Sequence, residues 1–191
     1  MVQRPQAEEI ARRRDAVVEL YESRYERVAR YFAVRIGSAS DAEDLASEVF
    51  VRALRTVESF RETGAPLEAW IFRIAHNLAV DYLRRKDRRP SSVPLDDVEG
   101  SLVGSMGNPG EALEHREDVE QLMVVFGQLS EAQRQVLALR FGLEMTSEQV
   151  AQVIGKRPGA VREMQSAAIK KLRQLLAEST PSQGAPGKDD W

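Results

Sequence analysis

The chain contains no cysteine among its 191 residues. Disulfide bonds and thiolate metal sites are therefore excluded. The two histidines, His76 and His115, lie far apart in the sequence. We accordingly predict no metal site and no cofactor.

Long apolar runs are also missing. No stretch of the sequence approaches the roughly 18 apolar residues that a membrane span requires. The first residues, MVQRPQAEEIARRRD, lack the apolar segment of a secretory signal. We therefore expect a cytoplasmic protein that does not insert into a membrane.

Aromatic residues are scarce, at 6% of the chain, whereas charged residues make up 30% and hydrophobic residues 42%. The hydrophobic fraction suffices for a packed core, and the abundance of charge favours a helical protein over a β-sandwich. The net charge of −3 argues against a generic nucleic-acid-binding protein, which is usually basic overall.

The charges are nevertheless segregated along the chain. An acidic cluster spans 41–48, a basic stretch spans 84–89 and is broken only by Asp87, and a second basic stretch spans 156–173 and is opposed only by Glu163. This pattern predicts one acidic surface for a protein partner and two basic surfaces for DNA. Any one cluster taken alone is more simply a solvated helix face.

Proline, glycine and serine indicate the domain boundaries. The segment 90–110, PSSVPLDDVEGSLVGSMGNPG, is poor in helix formers and has no helical periodicity. We expect a first domain at 1–89, a flexible linker at 90–110, a second domain at 111–178 and a disordered tail at 179–191.

The first domain is predicted to be a three-helix bundle. Apolar residues recur every three or four positions in 15–36 and 41–60, and Gly37 is suited to end the first of these helices. Ser40 and Asp41 are suited to begin the second. A third helix is expected from Pro66 to about Arg85. One of its faces is polar apart from Trp70, which we assign to packing, and carries Arg73, Asn77, Asp81 and Arg84.

The second domain is also predicted to be helical. Asn108 is suited to cap a helix that runs to about Phe126, and two capping boxes, Ser130 with Gln133 and Thr146 with Gln149, each begin another. A last helix is expected over 158–176. No segment alternates as a β-strand does, so the predicted fold is all-α, with two small helical domains.

The segment 147–169 has the spacing of a helix-turn-helix. Ala151 is small enough for close helix crossing, Gly155 is suited to the turn, and Val161 lies six residues later in the second helix. That second helix is then free to lie in a major groove. An ordinary helical hairpin would show the same spacing. The outward residues suited to DNA contact are Arg157, Arg162, Gln165, Ser166 and Lys170.

Two sets of motifs resemble a known family. The segments DAEDL (41–45), EVF (48–50), FR (60–61), WIFRIAHN (70–77) and DYLRR (81–85) resemble sigma region 2. The segment LSEAQ (129–133), together with 136–140 and the helix-turn-helix, resembles sigma region 4. The order of the motifs and the lack of counterparts to regions 1 and 3 make the chain similar to the extracytoplasmic-function (ECF) group of the sigma-70 family.

The resemblance implies a mechanism. Family members bind core RNA polymerase and direct promoter-specific transcription initiation. Region 2 binds the β′ clamp helices and captures the −10 element as a single strand, and region 4 recognises the −35 element as duplex and contacts the β flap. An anti-sigma factor, often anchored in a membrane, commonly holds these proteins inactive. No small-molecule substrate is implied.

The resemblance also assigns residues. Polymerase contacts fall on Asp41, Asp44, Ser47, Glu48, Val51 and Arg55, and −10 contacts fall on Phe60, Arg61, Glu62, Arg73, Asn77, Asp81 and Arg84. The five outward helix-turn-helix residues are assigned to the −35 element. The chain departs from the family at Ser47, where many members have Gln, and at Ala167, where a basic residue is frequent. Glu163 adds a negative charge to the recognition helix.

Three alternatives remain open from the sequence. A one-component helix-turn-helix regulator would need a dimer interface or ligand pocket, which the first domain does not suggest. A helical adaptor would bind polymerase without directing transcription. An enzyme using His76 and Asp81 is disfavoured, because residues five apart on a helix point in different directions. We therefore expect a protein that is not an enzyme.

Overall fold

The structure is a computed structural model that describes residues 4–61, 66–88 and 121–179, with side chains from Ala7 to Glu178. Glu62, His115 and the predicted linker and tail, apart from Ser179, lie outside the described residues. All regular secondary structure in the described ranges is helical, as predicted. None of the helices in these ranges is long and apolar enough to span a membrane.

The first domain is the predicted three-helix bundle. Helix α1 (Arg4–Ile36) packs against α2 (Ala39–Thr56), and a short 3-10 turn (Val57–Ser59) leads towards α3 (Leu67–Asp87). Gly37 ends α1 with a φ of +71°, as expected. The N-cap of α2 is Ser38, not Ser40 or Asp41, because the Ser38 hydroxyl accepts from the Asp41 amide at 3.4 Å.

The bundle core contains most of the predicted apolar stripe, including Val49, Phe50 and Ala53. Tyr21 and Leu54 belong to the apolar patterns of 15–36 and 41–60 that predict the inner faces of α1 and α2, but they are 45% and 37% exposed. The Tyr21 ring packs edge-on against Phe50 at 5.2 Å between centroids. This contact holds Tyr21 at the rim of the bundle, where one side of the ring faces solvent.

The second domain begins, within the described residues, with helix α4 at 121–127. Helix α5 (Glu131–Leu137) continues into a π-helical turn (Ala138–Gly142), and α6 (Ser147–Ile154) and α7 (Pro158–Ser179) follow. Both predicted capping boxes are confirmed, because each N-cap hydroxyl and each glutamine side chain makes its reciprocal hydrogen bond. The π-helical turn was not predicted.

Buried residues of both domains form one of the two hydrophobic clusters in the described part of the chain. Val136, Leu139 and Leu143 from the second domain are buried in the same cluster as Val28 and Phe32 of α1. Helix α1 lies against the π-helical turn, and α3 contacts α6. The predicted flexible linker leaves the relative placement of the domains open, so only the tertiary structure shows this contact.

Candidate polymerase and nucleic-acid interfaces

The outer face of α2 presents five of the six predicted polymerase contacts. Asp44, Ser47, Val51 and Arg55 are exposed, and Glu48 is half-exposed. Their spacing of three and four residues places them on one stripe of the helix. The sixth residue, Asp41, is partly buried in the first turn of α2, and a polymerase contact by it stays a prediction. Its carboxylate accepts a hydrogen bond from the Tyr82 hydroxyl at 2.6 Å and so joins α2 to α3.

Charge on this face is partly paired. The Glu48 carboxylate binds the Arg52 guanidinium at 2.6 Å. The hydrogen bond from Arg52 lowers the pKa of Glu48 below its ordinary value. The Arg52 guanidinium thus favours the ionised form of Glu48 and offsets part of its charge.

An apolar edge adjoins this face and was missed by the sequence analysis. Helices α1 and α2 run antiparallel, with Arg14 bound to Glu58 at 2.8 Å and the hydroxyls of Tyr25 and Ser47 3.4 Å apart. This register places Val18 opposite Leu54. The edge consists of large, exposed hydrophobic side chains: Val18, Tyr21, Val51 and Leu54. In the sequence, this edge is indicated by apolar residues that lie next to the buried face of each helix rather than on it.

The polar ridge of α3 is confirmed as an exposed surface. Arg73, Asn77, Asp81 and Arg84 are all exposed. They are spaced by four, four and three residues, so the ridge is about 16 Å long at 1.5 Å per residue. Arg61 is exposed in the preceding loop and donates to the Glu58 carbonyl at 2.9 Å. The ridge is a line of hydrogen-bonding groups suited to the edges of unpaired bases.

Phe60 lies in a different environment from the ridge. Phe60 is 7% exposed, and its ring packs against Trp70 at 5.3 Å between centroids. Arg13 donates to the Phe60 carbonyl at 2.9 Å and lies over the ring. Phe60 and Trp70 thus hold the loop to the bundle, and a −10 contact by Phe60 stays a prediction.

The helix-turn-helix has the predicted internal geometry. Ala151, Val150 and Val161 are buried between α6 and α7. Gly155 ends α6 in the left-handed conformation with a φ of +67°, and its amide donates to the Ala151 carbonyl. An added Cβ at Gly155 would meet no atom within 4 Å, so backbone conformation alone favours glycine here.

Four of the five predicted −35 residues are exposed on or beside α7, namely Arg157, Arg162, Ser166 and Lys170. Arg162 binds Glu148 of α6 at 3.1 Å, and both side chains are about 60% exposed. A pair so open to water is easily exchanged for a DNA contact.

The fifth residue, Gln165, is half-buried. Its side-chain oxygen accepts from the Arg140 guanidinium at 2.9 Å. Arg140 also donates to the Met145 carbonyl, so it joins the π-helical turn to the recognition helix. This fixed position orients Gln165 and makes Arg140 a supporting residue that the sequence analysis did not single out.

Comparison with known proteins agrees with these features. The protein family described as "Sigma-70 region 2" matches residues 17–89. The family described as "Sigma-70, region 4" matches residues 125–174. ECF RNA polymerase sigma factor ShbA of Streptomyces griseus is 37% identical over 138 residues, which cover 71% of this chain and 72% of that protein. ECF sigma factor BldN of Streptomyces coelicolor is 30% identical over 178 residues, 93% of this chain and 65% of that protein.

Solved structures show the same fold. CnrH in complex with the cytosolic domain of CnrY is 22% identical, with a TM-score of 0.67 over 92% of this chain and 96% of that one. The sigma factor RpoE in complex with the anti-sigma factor NepR from Bartonella quintana is 21% identical, with a TM-score of 0.64 over 85% of this chain and 97% of that one. With both family regions matched in order, the chain belongs to the sigma-70 family as an ECF sigma factor that directs transcription initiation by RNA polymerase.

Proposed function

We propose that this sigma factor binds core RNA polymerase through the outer face of α2, contacts the −10 element with the ridge of α3 and contacts the −35 element with α7. The observation that carries the proposal is the pair of separate exposed polar surfaces, the ridge and the helix-turn-helix, in a chain of the sigma-70 family. A one-component regulator is not favoured, because it would not need both regions.

The polymerase surface combines charge with apolar area. Asp44 and Glu48 supply negative charge, and Val51 with the adjoining apolar edge supplies a hydrophobic centre. Interfaces typically place an apolar patch within a charged rim. The clamp helices of the β′ subunit are the partner that fits the family.

The −10 surface is suited to single-stranded DNA. Asn77 presents an amide that is able to pair with a base edge, and Arg73 and Arg84 flank it with positive charge. The −35 surface is suited to duplex, because its basic side chains follow the first turns of a recognition helix. An anti-sigma factor is a further partner, supported by the neighbouring structure that was solved with one. We assign the chain no enzymatic activity.

The test of the polymerase surface is a double substitution, Asp44→Lys with Glu48→Lys. We expect loss of binding to core polymerase with unchanged helical circular dichroism, since both side chains point away from the bundle. A matched control, Glu8→Lys with Asp15→Lys, makes the same charge change at exposed positions nearer the start of α1. Equal core affinity for the two variants would contradict the assignment.

The test of the whole proposal is run-off transcription with core polymerase and promoter DNA from the operon that encodes the chain. Core polymerase alone is the control. Transcripts that start at one position only when the chain is present support the proposal, whereas operator binding without any effect on polymerase would favour the one-component regulator.

A further inference from the structure

Three consecutive arginines of α1 lie just before residue 17, where the match to sigma region 2 begins. Arg12 and Arg14 keep 73% and 54% of their side-chain surface exposed, whereas Arg13 keeps only 23%. The Glu9 carboxylate, one helical turn earlier, binds the Arg13 guanidinium at 3.0 Å. Of the three arginines, Arg13 is therefore the one that packs against the bundle.

The Arg13 side chain reaches the backbone of Phe60. Its guanidinium donates to the Phe60 carbonyl at 2.9 Å and lies 5.8 Å from the centre of the Phe60 ring. The same carbonyl accepts a second hydrogen bond from the Arg61 guanidinium, at 3.1 Å. Arg13 and Arg61 thus meet at one oxygen atom, although they belong to different elements of the fold.

The other contacts of Phe60 leave this carbonyl to Arg13 and Arg61. The Phe60 amide donates to the Val57 carbonyl at 3.1 Å, and the ring packs against Trp70. Arg14 of α1 also reaches this region and binds Glu58, but that ion pair is exposed and contributes little to stability. A hydrogen bond from a charged donor is stronger than one from a neutral donor. The Arg13 bond is therefore the main contact by which α1 fixes the backbone at Phe60.

We propose that Arg13 is a positioning residue for recognition of the −10 element, because it fixes the Phe60 carbonyl and thereby the direction in which Arg61 leaves the bundle. This inference rests on the proposed −10 surface and on the predicted −10 contact by Arg61. A side chain on a fixed backbone loses less conformational freedom when it binds and approaches its target from one direction. Arg13 thus strengthens the base preference of Arg61 without contacting DNA.

The test is run-off transcription by the reconstituted holoenzyme from the promoter of the encoding operon with a randomised −10 element. Arg61→Ala identifies the −10 position at which this side chain acts. Arg13→Met should reduce the base preference at that same position on the order of ten-fold, about the effect of freeing the backbone of one residue. Arg12→Met is the matched control. It removes the same charge and an ion pair with Glu9, at 3.1 Å, and should leave the preference unchanged.

A double variant distinguishes positioning from a direct DNA contact. If Arg13 acts through Arg61, Arg13→Met should have no further effect on base preference in a chain that already carries Arg61→Ala. Loss of folding would have a different signature, because it would lower transcription from all members of the library alike and lower the urea midpoint.

The outcomes separate the positioning role from the proposed function. The positioning role is overturned if Arg61→Ala alters a base preference that Arg13→Met leaves unchanged, and the −10 surface then stands. Additive effects of the two substitutions overturn it as well, since they would mean a separate contact by Arg13, and so does a uniform loss of transcription in Arg13→Met. If Arg61→Ala alters no base preference, the −10 assignment of Arg61 and the positioning role both fail.

Discussion

In the helix-turn-helix, the structure predicts which of two glycine-to-alanine substitutions lowers the free energy of unfolding and which raises it. Gly155 has a φ of +67°, whereas Gly159 lies in the first turn of α7 without a positive φ. A Cβ at either position meets no atom within 4 Å. The substitutions Gly155→Ala and Gly159→Ala therefore add the same methyl group into open space, and only backbone conformation distinguishes them.

The magnitudes follow from that difference. An alanine in the left-handed region costs about 1–2 kcal/mol, partly offset by the smaller conformational freedom of the unfolded chain, about 0.4–1 kcal/mol. Gly155→Ala should thus lower the free energy of unfolding by about 1 kcal/mol. Gly159→Ala should raise it by roughly 0.5–1 kcal/mol, because alanine is favoured over glycine within a helix.

The assay is urea unfolding followed by circular dichroism, with both variants and the unmodified chain measured together. The expected result is a lower midpoint for Gly155→Ala and a higher one for Gly159→Ala, with equal slopes. If Gly155→Ala is as stable as Gly159→Ala, the left-handed conformation at Gly155 is not required for the turn between α6 and α7.

Three further predictions concern single side chains. Arg162→Ala should reduce the preference for particular bases at one or two −35 positions by roughly 5- to 150-fold, because a bidentate contact with guanine contributes about 1–3 kcal/mol. Lys170→Ala should instead weaken binding to all −35 sequences alike. Transcription of a randomised −35 library with each variant distinguishes the two effects, and equal shifts in sequence preference would refute the placement of α7 in the groove. Asn77→Ala should reduce open complexes more than closed ones, as measured by permanganate footprinting and filter binding; equal losses would mean a structural role. Burial lowers the pKa of His76 to about 4. Between about pH 6.5 and pH 4, His76 therefore takes up a proton in the unfolded chain but not in the folded one. The free energy of unfolding should fall by about 2 kcal/mol from pH 7.5 to pH 5. Urea midpoints should show this loss reduced in His76→Gln, and an identical pH dependence in both chains would count against a buried neutral histidine.

The sequence by itself determined the local features of this protein. The capping boxes at Ser130 and Thr146 and the turn at Gly155 were predictable, because each depends on residues within a few positions of one another. The ridge through Asn77 was predictable for the same reason, since helical periodicity fixes which side chains share a face. The family motifs are likewise contained in short segments.

Only the tertiary structure decided which faces meet. Periodicity shows that Arg35 lies near an apolar stripe, but its partner Glu131 is 96 residues away, and no local rule connects them. The exposure of Tyr21 at the bundle rim and the attachment of Gln165 to Arg140 likewise depend on how helices pack. The residues of a helix face determine whether that face is buried. Which other residues pack against it depends on how the side chains of the whole chain pack together.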